Sequence, residues 1–323
     1  MKLPSPRGPV SAAVIDALAR PPHDVTIPSR HSDDDDLHLT LFVLYELSYR
    51  GWDGVDDDWE WQPSLIAART RLEKVFEGQL IELAGPVTPP AQPIARELIE
   101  LTSADTGPSL SKFLRGRATR AQFREFAAHR SVYHLREADP HTYAIPRLGG
   151  AAKAALIEIQ IDEYGNGREP RMHQELFKRT MVALDLDTTY GAYVDVVPAR
   201  TLAINNMMSL FALHRSRRGA IIGHLAAYEM TSTAPNRAYG NGLRRLGGDA
   251  DATAFYDEHV EADAVHEQIA AYDLCGSFAA AEPGLAGDVL FGARCALALD
   301  QEWATEVLAR WDAGESSLRE PLP

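Results

Sequence analysis

Three side chains in the stretch 254–273, AFYDEHVEADAVHEQIAAYD, could do chemistry together: His259, Asp263 and His266 stand at i, i+4 and i+7. At about 100° per residue, a helix would bring them within roughly 60° of one another on one face. The helix itself is an expectation from local chemistry. The stretch has no Gly or Pro, is rich in Ala and Glu, and follows Gly247-Gly248-Asp249, so a helix should start near Asp251. Two imidazoles flanking a carboxylate over two turns is how one helix offers several donors to a first-row transition metal. The same triplet on an Ala/Glu-rich helix could simply face water. The rest of the chain has to decide.

Four more polar residues stand on apolar stripes. Phe123, Phe126, Arg130, Tyr133 and Glu137 share one helical face, so a carboxylate extends a row of aromatic residues. Ala152, Leu156, Ile159 and Glu163 repeat the arrangement. Ile222, Ala226 and Glu229 do so again in GAIIGHLAAYEM, where Glu229 is the only acidic residue, and His173 begins a row running through Leu176 or Phe177, Thr180 and Leu184. Burying a carboxylate or imidazole costs several kcal/mol unless it is paired or coordinated. Four carboxylates (Glu137, Glu163, Glu229, Asp263) with three neutral histidines (His173, His259, His266) would neutralise two divalent ions. A mixed oxygen and imidazole set without thiolate suits Fe or Mn better than structural zinc. Seven side chains cannot fill two octahedra unless carboxylates bridge, so positions should remain open for O2 or substrate, which favours catalysis over storage. His224 lies about 140° around its helix from Glu229 and reads as a packed or surface residue; His129, His134, His141 and His214 read as weaker candidates.

These rows need helices to carry them, and the chain supplies helical periodicity at about 92–101, 108–115, 119–137, 149–164, 170–184, 198–214, 218–230, 236–246, 250–274 and 284–310, with no strand-like alternation long enough for a sheet. The expected fold class is all-α. Pro86 to Pro93 (PVTPPAQP) is the clearest linker, giving an N-terminal helical region over 1–90 and a main domain over 91–323. Asp33 to Asp36 precede the apolar LHLTLFVLYELSYRG and read as a negatively charged helix start rather than a cation site; Asp56 to Asp58 read as a turn and cap before a helix from Pro63. Trp59 and Trp61 read as packing anchors.

A chain of 323 residues with 45% hydrophobic content can bury a large core. Cys275 and Cys295 are its only cysteines, without CxxC spacing, which argues against a disulfide framework or thiolate cluster; both read as packing residues. A net charge of −14 and a pI near 5.2 disfavour nucleic acid as a partner. No run approaches the ~18 apolar residues of a membrane span, and the N-terminus lacks the uninterrupted apolar core of a signal peptide, so no membrane partner and a cytoplasmic location are expected.

With Glu137, Glu163, His173, Glu229 and His259-x3-Asp263-x2-His266 in place, the chain resembles the haem-oxygenase-like di-iron oxidases and oxygenases, the iron-containing redox enzymes. The resemblance extends to HRSVYHLREADPHTYAIPRL, EIQIDEYGNGREPRMHQELF, RGAIIGHLAAYEMTST and FYDEHVEADAVHEQ, and in the N-terminal part to DDDDLHLTLFVLYELSYRGW and VDDDWEW. It implies a haem-oxygenase-like helical bundle and two irons per chain, the second held loosely in some members. Glu137, Glu163, His173, Glu229, His259, Asp263 and His266 would be the ligands and O2 the co-substrate. It further implies oxidation of a small organic substrate, by N-oxygenation of an amine or amino acid or by oxidative C–C cleavage or desaturation, and it allows a homodimer. A first partition assigns Glu137, His173 and His266 to one iron, Glu163, His259 and Asp263 to the other, and Glu229 to a bridge. Two alternatives make different demands. A haem-binding or haem-degrading protein on the same scaffold needs one proximal His and an apolar pocket free of ionised carboxylates. A non-catalytic interaction module needs the seven side chains solvated or paired with basic groups.

Overall fold

Side-chain caps set where several helices begin. Asp33 accepts from the Asp36 amide at 3.0 Å, Asp249 from Ala252 at 2.9 Å, and Thr119 and Gln122 cap each other's backbone at 3.2 and 2.9 Å. A computed structural model of the chain describes residues 1–104, 107 and 109–322, apart from the side chains of Asp263 and Ala264. In order, its α-helices are α1 (Pro9–Leu18), α2 (Asp34–Glu46), α3 (Pro63–Ala84), α4 (Ile94–Ser103), α5 (Leu110–Gly116), α6 (Arg120–His134), α7 (Asp139–Thr142), α8 (Gly150–Glu163), α9 (His173–Ala183), α10 (Ala199–Leu213), α11 (Arg218–Arg245), α12 (Ala250–Gln268), α13 (Ser277–Ala281) and α14 (Ala286–Asp312). A wider π-wound segment, Ile269–Gly276, joins α12 to α13. Among the described residues there is no strand, and no helix is long and apolar enough to cross a membrane.

The long helix α11 is the axis of the bundle. It packs against α14, α12, α5, α10 and the π-wound segment, while α12 packs on α9 and α8 lies against the π-wound segment. Two glycines let α11 and α14 touch backbone to backbone: a Cβ on Gly223 would collide with the Val289 carbonyl, and one on Gly292 with the Ala220 carbonyl. The N-terminal helices share the same core, α2 against α10 and α3 against α14, and one continuous set of buried apolar side chains runs from Val10 to Leu318.

The acidic runs act as helix starts. Asp36 is fully buried and accepts backbone bonds from Val10, Ser11 and Ser32, tying α1 to α2. Trp59 is buried and donates its indole N–H to the Arg20 carbonyl, but Trp61 is 74% exposed and anchors nothing: the short 3-10 turn Asp57–Trp61 carries the two rings to different sides. Both cysteines are buried. The break expected between 230 and 236 does not occur. Pro235 lies inside α11, which continues through it. An internal proline forfeits one backbone bond and costs ~3 kcal/mol. Packing along α11 offsets this, and the hydroxyls of Thr231 and Ser232 bond back to the Ala227 and Glu229 carbonyls just before it.

Candidate metal centre

Six of the seven expected ligands lie where they can be described, and all six are buried: Glu137, Glu163, His173, Glu229, His259 and His266. Asp263 belongs to α12, but its side chain lies outside the described residues. Five pieces of backbone deliver the six. Glu137 follows the end of α6, where Ala138 turns the chain through φ +70°, an uncommon conformation for a residue with a Cβ. Glu163 closes α8 and His173 opens α9. Between them Gly165, at φ +60°, passes so close to the Arg171–Met172 backbone that no side chain would fit, and this tight return sets His173 Nδ1 3.0 Å from Glu163 Oε2. Glu229 comes from the middle of α11, and His259 and His266 from α12, two turns apart.

The donors form two groups with one member in common. Ligand atoms of Glu137, Glu163, His173 and His259 lie within 4.8 Å of one another, and so do those of Glu163, Glu229 and His266. The grouping differs from the partition expected from sequence: Glu163, not Glu229, belongs to both sets, and His259 and His266 exchange places. The reason is geometric. Glu163 ends α8 at the level of α12 where it can face both histidines, whereas Glu229 on α11 stands in the group of the C-terminal one, with His266 Nδ1 3.3 Å from Glu229 Oε2.

Hydrogen bonds fix how the histidines face. His259 Nδ1 donates to the Phe255 carbonyl at 2.8 Å, which leaves Nε2 facing Glu137 Oε1, 3.7 Å away. His266 Nε2 meets Asp162 Oδ2 at 3.1 Å, leaving Nδ1 for the donor group. A carboxylate behind an imidazole is the usual way a metal-ligating His is oriented and made more basic. His134, three residues before Glu137, bonds Glu137 Oε1 at 2.9 Å through Nδ1.

Protons shared between imidazoles and carboxylates hold these charges together. Burial by itself would lower the His266 imidazolium, but Glu229 and Asp162 override it and raise it to about 9. Burial likewise opposes His173, and Glu163 raises it. Burial pushes the Glu137 carboxyl up, yet His134 and His259 bring it well below the ordinary range. Even so, Glu137 Oε2 is buried without a hydrogen-bond partner, and His173 Nδ1 and His266 Nδ1 meet Glu163 and Glu229 as close charge pairs rather than in regular hydrogen-bond geometry. An unpartnered buried atom costs about 1–3 kcal/mol. Imidazole nitrogens and carboxylate oxygens converging in this way, one of them unsatisfied, are what a coordinated cation would satisfy, so the residues fit an oxygen- and imidazole-loving metal.

A cavity of about 150 Å³ opens onto this centre, lined by Glu137, Glu163, Glu229 and His259 among others. His141 and Gln160 also reach it. His141 bonds the buried His224 ring to ring, Nε2 to Nδ1, at 3.1 Å. Sequence reasoning set His134 and His141 aside and did not weigh Asp162. His134 carried a usable signal, being one turn before Glu137 on the same face; Asp162 carried none beyond adjacency to Glu163.

Over residues 124–301, more than half of its length, the chain matches the sequence model of the family described as iron-containing redox enzyme. It belongs to that family, and its fold is the all-α haem-oxygenase-like bundle. It is also similar to the nitrosourea synthase of Streptomyces achromogenes subsp. streptozoticus, with 27% identity over 156 residues. The matched segment is 48% of this chain and only 32% of that relative's length. The family is described by iron and redox chemistry.

Proposed function

We propose that the protein is a non-haem di-iron oxidase or oxygenase that uses O2 to oxidise a small organic substrate, with N-oxygenation of an amine as the favoured reaction class. The observation that carries this reading is the pair of buried donor groups sharing Glu163. Glu137, Glu163, His173 and His259 would hold one iron, and Glu163, Glu229 and His266 the other; Asp263 joins the set by resemblance alone. Iron bound there supplies the redox chemistry with O2. The chain's part is to hold the ligands, with Asp162 and the Phe255 carbonyl aiming the two α12 histidines and His134 steadying Glu137, and to keep the adjoining cavity small and largely apolar. The similar protein's name denotes a nitrosourea, a product bearing oxidised nitrogen, and this supports amine oxygenation over C–C cleavage or desaturation. A haem reading is less well supported, since the cavity is bordered by four carboxylates, Glu137, Glu163, Glu229 and Asp300. The interaction-module reading requires ligands that are solvated or paired with basic groups; the six described are buried, and Glu137, Glu163 and Glu229 face imidazoles that are themselves in the ligand set. Anaerobic titration with Fe(II), followed by mixing with O2, tests the proposal. Two irons bound per chain and oxidised by O2 would support it; stoichiometry near zero would overturn it.

A further inference from the structure

The cavity beside the metal centre has a second polar feature that metal binding does not use. Arg130, on the α6 stripe two helical turns before Glu137, lines it together with Asp300 of α14. Arg130 Nη2 donates to Asp300 Oδ1 at 2.8 Å, and the two side chains are 16% and 39% exposed. The guanidinium lies 4.1 Å from the Trp303 ring centroid and 5.8 Å from that of Phe126, and the hydroxyls of Tyr228 and Tyr239 accept from it. Desolvating a charge pair in this way confers little stability that apolar side chains could not supply. A guanidinium has five N–H donors, more than one carboxylate oxygen and two phenols occupy. The remaining lining is mostly apolar, including Leu225, Phe255, Ala296 and Leu297.

Building on the di-iron reading, we propose that the Arg130–Asp300 pair is the docking point for the charged end of the substrate, a small α-amino acid whose carboxylate binds Arg130 and whose ammonium binds Asp300. The pair is a fixed dipole, and a zwitterion is its complement: each substrate charge meets the opposite sign, and bidentate carboxylate recognition is what a planar guanidinium does best. A lone amine would bring no partner to the remaining N–H donors of Arg130, and a lone carboxylate would oppose Asp300. The side chain, which carries the nitrogen to be oxidised in the favoured reaction, is then directed along α6 toward the donor groups. A cavity of about 150 Å³ admits a molecule of roughly benzene size, so the side chain is short and Arg130 and Asp300 act as specificity-determining residues.

The test uses the full chain loaded anaerobically with Fe(II). Calorimetric titrations compare L-amino acids of norvaline size with their decarboxylated amines and methyl esters, for example L-norvaline, n-butylamine and L-norvaline methyl ester. At least one amino acid should bind ~10-fold or more tightly than its amine and its ester. Arg130→Gln should remove that discrimination and Asp300→Asn should weaken amino-acid binding, while iron content, read with a chromogenic chelator, stays at the wild-type level in both. Arg130→Lys, which keeps the charge, should retain the preference for the amino acid and so separates lost recognition from lost folding. Equal binding of amine or ester, discrimination that survives Arg130→Gln, or no amino-acid binding by iron-loaded protein would overturn the proposal. If the wild-type chain binds no iron, it is the di-iron reading that fails. The same titrations on metal-free protein then still read the amino-acid site.

Discussion

Replacing Glu163 with glutamine removes one negative charge and almost no volume, and the geometry makes its effect unlike that of any other ligand. Donor atoms in each group lie within 4.8 Å of one another, so an ion held among them is closer than that to the Glu163 carboxylate. At 4.8 Å and an effective dielectric constant of 20, one unit of positive charge loses about 3.5 kcal/mol, a few hundredfold in affinity, before the second charge of Fe(II) is counted. Because Glu163 belongs to both groups, Glu163→Gln should weaken both sites together. Glu229→Gln touches only the group with His266 and should leave the other site loaded. Anaerobic Fe(II) titration with a competing chromogenic chelator measures this, and the melting temperature of the metal-free variants controls for folding. Two outcomes would refute the shared-carboxylate geometry: Glu163→Gln holding as much iron as the wild type, or the two variants losing the same share.

Further outcomes follow from other contacts. Asp162→Asn should weaken iron binding by roughly 10–100-fold through loss of His266 orientation, and an unchanged affinity would show that the 3.1 Å contact is incidental. His38 and His129 are buried and held neutral, burial lowering them to about 4 and about 3. Below pH ~6.5 the unfolded chain takes up protons that the fold refuses, so stability should fall with pH by about 1.4 kcal/mol per unit for each residue. His129→Gln should reduce the slope of stability against pH between 6.5 and 4.5 by one proton, as urea denaturation across that range would reveal; an identical slope would contradict the assignment. Gly223→Ala, normally favourable inside a helix by up to about 1 kcal/mol, should instead lower the melting temperature, because its Cβ meets the Val289 carbonyl. A rise in melting temperature would mean that the α11–α14 contact is looser than described.

Most of the helices were legible because each carries a long apolar stripe. The rows ending in Glu137, Glu163 and Glu229 could be read as inward-facing because an acid at the end of an apolar row is costly to bury without a purpose. What periodicity could not supply was the relation between rows. The sharing of Glu163 depends on the return at Gly165 and on the level at which α8 meets α12, both tertiary facts. Pro235 misled in the opposite direction: its local cost is real, but packing outweighs it. The stretch 250–274 read as one helix because α and π winding place similar residues on a face over so short a span, which hid the change at Ile269. Trp61 looked like Trp59 because size and apolarity do not say which side of a turn a ring will take.

The glycine seam between α11 and α14 has a consequence for anyone wishing to reshape the cavity. α11 carries Tyr228 and Glu229, and α14 carries Asp300, Ala296 and Leu297. With backbone meeting backbone at Gly223 and Gly292, the spacing of these two helices cannot be adjusted by swapping interface side chains, since at those points there are none. Ala296 and Leu297 lie one turn and more beyond the seam on α14 and border the cavity. Libraries that vary these two positions could resize the chamber on a frame that does not shift, whereas mutations placed in the seam would move the whole wall and the metal ligand attached to it.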